Sequence, residues 1–320
     1  MKICLIDADS VIPNLALMRL SAYFKTQNHD VTLVKANLPY YPNLKKINFY
    51  APPDFDKYYC SCVFSGHLKY IHGKNIIFGG TGFDLKTELP QEVESTEPDY
   101  SIYPENNTSY GFISRGCIRN CKFCVVPTKE GRIHQVSTVA NIVRHKKVKF
   151  LDNNILALPE HKEILSELVA LKIKCQFNQG LDIRLLDPEN SKLLSKLKYS
   201  RDYVFAFDSY SYLPIIQDKI KLLDWRRPWE LKFFVFCHPS MEISDIVKRV
   251  EWLKNKKCLP YIMRHLDCWE SKYKNFYIDI ASYCNQVHVF KSMTFTQFLF
   301  KRHVKIKRII HSSNLYRDNM

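Results

Sequence analysis

No stretch of the chain approaches the roughly 18 consecutive apolar residues that a membrane-crossing helix requires. The most apolar run, Tyr203 to Ile216, is interrupted by Asp208. The first residues, Met-Lys-Ile-Cys-Leu-Ile-Asp-Ala-Asp, turn acidic too early for an export signal. A soluble, cytoplasmic protein with no membrane partner is therefore expected. Without export, the eleven cysteines do not read as a disulfide framework, because a reducing compartment leaves thiols for packing, metal binding or catalysis. Internal repeats and low-complexity tracts are also missing. Acidic residues are few, 32 against 47 basic ones, and the formal charge of +15 admits two readings. One is a polyanionic partner whose phosphates displace counterions. The other is a generally solvated Lys-rich surface, since the basic residues are spread through Arg144-His145-Lys146-Lys147, Arg226-Arg227 and the tail. What the chain does have is apolar mass: 46% hydrophobic and 13% aromatic over 320 residues, enough for one large core or two smaller ones.

Hydrophobic spacing sets out an α/β chain. Residues 2 to 7 read as a buried parallel strand, Leu15 to Thr26 as a helix, and Val31 to Val34 as a second strand. Further strands are expected through Tyr58 to Phe64 and Lys74 to Phe78, the latter running into Gly79-Gly80-Thr81-Gly82. This order, with a glycine turn after a strand, predicts a small Rossmann-like domain over 1–90. The turn alone does not establish phosphate binding, since any doubly wound domain can close a strand–helix turn with glycines. Residues 91–109, rich in proline, acidic and polar residues, read as a linker. Beyond it, strands are predicted at Tyr110–Ser114, Val148–Asp152, Lys174–Asn178, Tyr203–Phe207, Leu231–Phe236 and Cys258–Met263. Helical patterns such as Glu160–Leu171 and Ile243–Lys254 separate them. Six strand–helix units imply a partial (β/α)6 barrel over 110–290, followed by a basic extension over 291–320.

The densest chemical signal is Ser114-Arg115-Gly116-Cys117-Ile118-Arg119-Asn120-Cys121-Lys122-Phe123-Cys124, directly after a predicted strand. Three thiols at this spacing let one loop wrap around a metal. Soft thiolates suit an iron–sulfur cluster or zinc, and a cubane held by three cysteines keeps one iron open for another ligand. A structural zinc site with His134 as fourth ligand is the alternative. Three unrelated core cysteines fit poorly beside Arg115, Gly116, Arg119 and Lys122.

The pattern Cys-x3-Cys-x2-Cys, with Phe123 before the last cysteine, resembles the signature of the radical S-adenosylmethionine superfamily. The resemblance implies a [4Fe–4S] cluster on Cys117, Cys121 and Cys124, with S-adenosylmethionine chelating the open iron. It also implies a one-electron reductant such as flavodoxin or ferredoxin and a 5′-deoxyadenosyl radical that abstracts hydrogen from a substrate. By the same resemblance, Asp152 and Asn153 at the second strand end lie near the methionine amino group. Gln179 and Arg184 at the third bind cofactor carboxylate or substrate, and Asp208 and Ser209 at the fourth reach the ribose. Structural hydrogen bonding in a loop is the competing reading for each. The chain departs from the best-known pattern in having no Gly-Gly-Glu at the second strand. The remaining cysteines lack tight metal spacing; Cys258, Cys268 and Cys284 read as buried packing rather than an auxiliary cluster.

The first 100 residues are similar, more loosely, to the cobalamin-binding domain fused to many radical enzymes. They lack the Asp-x-His-x-x-Gly motif whose histidine ligates cobalt, and His29 and His67 do not replace it by spacing. A degenerate, structural or substrate-shaping domain is expected rather than cobalamin binding. In the tail, Lys291, Lys301, Arg302, Lys305, Lys307, Arg308 and Arg317 stand against Asp318, with Phe295, Phe298, Phe300 and Tyr316 interleaved. RNA is the polyanion this composition suits, as substrate or docking partner. A final helix packing its phenylalanines inward is the alternative.

Overall fold

The computed structural model describes residues 1–39 and 47–302. The chain is a mixed α/β structure with parallel sheets, dividing into two compact units. The first comprises residues 1–111, 125–131 and 142–147, and the second takes the rest.

In the first unit, β1 (Lys2–Asp7) is followed by α1 (Leu15–Thr26), β2 (Asp30–Lys35), β3 (Lys57–Ser61) and β4 (Ile76–Gly79). The sheet order is β2-β1-β3-β4, with every neighbouring pair parallel. The unbroken apolar run of β1 follows from burial on both faces. Ile3 and Leu5 pack on Leu17, Leu20 and Phe24 of α1, while Cys4 and Ile6 pack with Leu38, Cys60, Cys62 and Ile71. Asn14 starts α1 by accepting the Leu17 N–H at 3.2 Å. The glycine turn serves backbone approach: a Cβ on Gly80, at φ +91°, would meet the Cys62 carbonyl oxygen at 2.3 Å.

Residues 91–109 are not a free linker. Val93 is buried among Leu17, Leu20 and Phe24. Asp99 accepts from Ser21 Oγ and Lys25 Nζ, both at 2.7 Å, and Tyr103 donates to Asp7 at 2.8 Å. The prolines and polar residues supply turns and buried hydrogen bonds here, which composition does not distinguish from a solvated tether.

The second unit carries β5 (Lys147–Phe150), α2 (His161–Leu171), β6 (Lys174–Phe177), α3 (Pro188–Lys196) and β7 (Tyr203–Ala206). Next come α4 (Leu213–Lys219), β8 (Leu231–Cys237), α5 (Ile243–Asn255) and β9 (Leu259–Arg264). Strands β5 and β6 are neighbours, and β7-β8-β9 form a parallel sheet. Parallel bridges Cys175↔Tyr199 and Leu181↔Phe205 join the segment through β6 to that through β7. The strands therefore lie side by side in chain order. Their inward rings form the core, with Phe150 on Phe177 at 5.7 Å and Phe205 on Phe233 at 5.8 Å.

After β9 come α6 (Lys274–Cys284), α7 (Val287–Ser292) and α8 (Phe295–Arg302). Phe295 and Phe298 are buried against Tyr283, at 5.3 and 5.6 Å, and Arg302 pairs with Asp279 at 3.0 Å. The start of the expected basic extension is thus a packed helix, with Phe300 exposed. Lys305, Lys307, Arg308, Tyr316, Arg317 and Asp318 lie outside the described residues. No helix among the described residues is long and apolar enough to cross a membrane.

Candidate metal centre in the cysteine loop

Of the eleven cysteines, Cys117, Cys121 and Cys124 are partly exposed and the other eight are buried. None forms a disulfide among the described residues. Burial pushes the buried thiols up, Cys4 and Cys268 to about 11 and Cys62, Cys175, Cys237 and Cys258 to about 12. Those groups stay protonated and pack as small hydrophobes. Cys258 and Cys268 donate to the carbonyls of Lys256 and Cys237, and Cys284 is raised by complete burial. The expected packing role fits this set better than an auxiliary cluster does.

Three anchors hold the loop. At its start, Asp152 lies just past β5 and is 1% exposed. Its carboxylate accepts from the Ser114 N–H at 2.5 Å, the Ser114 hydroxyl at 2.7 Å and the Ile113 N–H at 3.3 Å. Desolvation raises its pKa and these donors oppose the rise. In the middle, Arg119 Nε donates to Asp182 Oδ2 at 3.0 Å. Asp182 also binds Arg184 Nε at 2.7 Å and Arg184 Nη2 at 3.0 Å. Burial would raise the Asp182 pKa, but the two arginines outweigh it and hold the carboxylate below its usual range. At the end, the Phe123 ring stacks on Phe236 with centroids 3.8 Å apart.

Around the sulfurs, the Arg119 N–H lies 3.3 Å from Cys117 Sγ, and Asn154 Nδ2 lies 3.6 Å from it. The other amide atom of Asn154, Oδ1, is buried without a partner, as is Gln176 Oε1 on β6. Asp208, just past β7, is pushed up to about 6 by burial, with Arg249 and Arg184 opposing and Asp182 adding to the rise. Cys121 is raised by burial first, then by the negative potential of Asp208 and Cys124, with Arg184 opposing. Asp208, Arg184 and the cysteine loop therefore share one electrostatic environment.

Several expected side chains are engaged locally. Ser209 accepts the Ser211 N–H at 3.3 Å and caps a short turn, and Arg184 stacks on Tyr212 at 4.5 Å besides its bond to Asp182. Gln179 is exposed and Asn153 half-buried at the two strand exits. His134, the zinc alternative, is exposed, with Nδ1 2.9 Å from the Arg132 carbonyl. Residues that sequence reasoning did not single out include Asn154, Asp182 as anchor of Arg119, and Phe236 beneath Phe123. The adjacent polar run Asp152-Asn153-Asn154 was the available signal for Asn154; the others depend on long-range packing.

The donor set fits a thiolate-ligated cluster: three accessible sulfurs on a loop pinned at three points, with N–H donors near one sulfur and an orphaned amide oxygen beside it. No protein-family model matches the chain, and no curated protein matches it.

Proposed function

We propose that the chain is a radical S-adenosylmethionine enzyme whose [4Fe–4S] cluster is held by Cys117, Cys121 and Cys124. The observation that carries the reading is the contrast between these three accessible thiols on a braced polar loop and the eight buried ones. A partial (β/α) barrel is the architecture this reading gives to the sequentially ordered strands β5 to β9, with catalytic groups gathered at their exits. When bound, the cluster and S-adenosylmethionine supply one-electron cleavage of the sulfonium to methionine and a 5′-deoxyadenosyl radical. Flavodoxin or ferredoxin is the kind of reductant such chemistry needs.

Each of the chain's own groups has a definite part. Asp152 and Asp182 fix the loop, so the three thiols would be held in place before metal enters and displaces their protons. Arg184, bound through Nε and Nη2 to Asp182 and stacked on Tyr212, holds that anchoring carboxylate in place. Asp208 at about 6 sits where it can accept or release a proton near neutral pH. Asn154 Oδ1, buried without a partner on the side chain whose Nδ2 lies 3.6 Å from Cys117 Sγ, would be the acceptor for an N–H of a bound cofactor.

The parallel order β2-β1-β3-β4 supports a Rossmann-like reading of the first unit. The unit lacks the Asp-x-His-x-x-Gly motif and its His67 is buried, so it is read as a degenerate relative of cobalamin domains. The polyanion reading rests mainly on residues 303–320, outside the described residues, so no substrate class is drawn from it.

Anaerobic reconstitution should give about four irons per chain and broad thiolate-to-iron absorption that disappears in Cys121→Ala. Dithionite with S-adenosylmethionine should then yield 5′-deoxyadenosine. A colourless protein with one tightly bound zinc lost in the same variant would overturn the reading.

A further inference from the structure

We propose that His238, His265 and Asp267 form a second, mononuclear metal site of the zinc type, independent of the cysteine loop, with a coordination position open to an anionic oxygen. His238 directly follows β8 and His265 directly follows β9, so the two parallel strands deliver two imidazoles to the same end of the sheet. One ligand atom from each of the three residues falls within 4.8 Å of the others.

The carboxylate bridges both rings: Asp267 Oδ2 lies 3.3 Å from His238 Nε2, and Oδ1 lies 3.3 Å from His265 Nδ1. Both separations exceed the roughly 2.7–3.2 Å of a well-formed N–H···O bond. Each is near the edge, about 3.3–3.4 Å, of a tetrahedral site with ligands about 2.0–2.1 Å from one ion. Because different oxygens make the two contacts and the three ligand atoms spread over up to 4.8 Å, the side chains close on the ion through one of the two oxygens.

The supporting frame is in place. Behind the His238 ring, the Ser240 N–H donates to Nδ1 at 3.1 Å, and the Ser240 hydroxyl lies 2.7 Å from the same nitrogen. Coordination through Nε2 moves the ring proton to Nδ1, where the hydroxyl oxygen accepts it and the Ser240 N–H contact is given up. The His265 N–H donates to the Cys237 carbonyl at 2.9 Å, and the Tyr277 hydroxyl donates to the His238 carbonyl at 3.4 Å, fixing both backbones. The Asp267 N–H, 3.3 Å from His265 Nδ1, makes a long contact that a metal would replace.

Two imidazoles and one carboxylate suit zinc over calcium, which takes six to eight oxygens. Three protein ligands are the number found in zinc sites that keep a position open. The side chains are 28%, 35% and 61% exposed, so that position faces solvent. One carboxylate leaves the ion with net positive charge, which selects an anionic oxygen. Phe236 lies 6.4 and 6.3 Å from the His238 and His265 rings and stacks on Phe123. The site is therefore one ring removed from the cysteine loop.

The test is zinc content after equilibrium dialysis of the full chain against Zn²⁺ alone, in wild type and in Cys117→Ser/Cys121→Ser/Cys124→Ser. The triple variant should retain one zinc per chain. That zinc should be lost on adding His265→Gln, and Ser240→Ala should weaken it about tenfold. Far-UV circular dichroism checks that each variant is folded. As a second measurement, Co²⁺ bound to wild type after Cys-loop iron loading should show ligand-field bands without thiolate charge transfer. A folded triple variant that retains no zinc, or zinc retention indifferent to His265→Gln, would overturn the proposal. Neither result bears on the iron content or 5′-deoxyadenosine yield that tests the cysteine loop.

Discussion

The exits of the parallel strands in the two units use the same device, a buried carboxylate that collects backbone N–H groups, to opposite ends. In the first unit, Asp9 accepts from Val63 and Phe64 N–H at 2.8 and 3.0 Å, binds His67, and receives the Cys62 thiol at 3.4 Å. Asp7 takes the Tyr103 hydroxyl and the Ser10 N–H. Both carboxylates are buried, and the Cys62 thiol beside Asp9 is pushed up to about 12 by burial. In the second unit, Asp152 and Asp182 hold a loop whose three thiols remain accessible. A satisfied carboxylate is thus evidence of bracing in both places; accessible sulfur marks the second as a candidate site of chemistry.

The comparison breaks most decisively at the cysteines. Cys121→Ser should abolish iron retention, whereas Cys62→Ser should leave it unchanged and lower stability by about 1–3 kcal/mol, as a polar hydroxyl replaces a buried thiol. Iron analysis and urea unfolding check both. Equal iron loss in the two would erase the distinction.

Next in size are the carboxylates. Asp152→Ala leaves two N–H groups and a hydroxyl without acceptors, at about 1–3 kcal/mol for each buried donor left unmet. It should destabilise the protein by several kcal/mol and lower iron content. Asp9→Ala should cost a similar amount by denaturant melt while folded protein still loads iron. If Asp152→Ala loads like wild type, the bracing role is wrong.

A pH profile sharpens the comparison. Asp208 has its folded pKa raised to about 6, against about 4 unfolded. The folded state then holds the proton more tightly, so stability falls as pH rises from about 4 to about 6 and stays lower above. The full effect is up to about 3 kcal/mol. Asp208→Asn should flatten that segment in metal-free protein, measured by melting temperature across the range. An unchanged slope would mean that Asp208 is solvated.

The smallest expected effect is at Ser209, whose hydroxyl caps a three-residue turn. Ser209→Ala should cost at most about 1 kcal/mol and leave S-adenosylmethionine affinity within twofold by calorimetry. A tenfold loss would return Ser209 to the cofactor.

Much of the framework was legible because local pattern and burial agree. Leu15–Thr26 is helical as its spacing predicts, and β1, β2, β6, β8 and β9 lie within a residue or so of their apolar runs. Residues 91–109 differ from the linker their composition predicts because Val93, Asp99 and Tyr103 acquire their roles only from partners many positions away. The cysteine cluster was visible as spacing, yet its braces were not, since Asp182 finds Arg119 63 positions upstream. The His238–His265–Asp267 group is not legible in the sequence for a related reason: strand register, not sequence proximity, brings its imidazoles together.

Arg249 ties together the rim of the second unit's sheet. Its guanidinium is 1% exposed and donates to the Phe207 carbonyl at 2.7 Å and the Phe236 carbonyl at 3.1 Å, the exits of β7 and β8. Separating those exits means breaking charge-assisted bonds inside the protein and carrying a cation past apolar walls before water can reach it. Partial opening gains nothing until the ion is fully hydrated, so the two exits are coupled into one cooperative unit. The Phe207 amide, bonded to the Phe234 carbonyl at 2.8 Å, then belongs with the slowest-exchanging hydrogens of the chain. The platform beneath Phe123 is held still by a residue that never faces it.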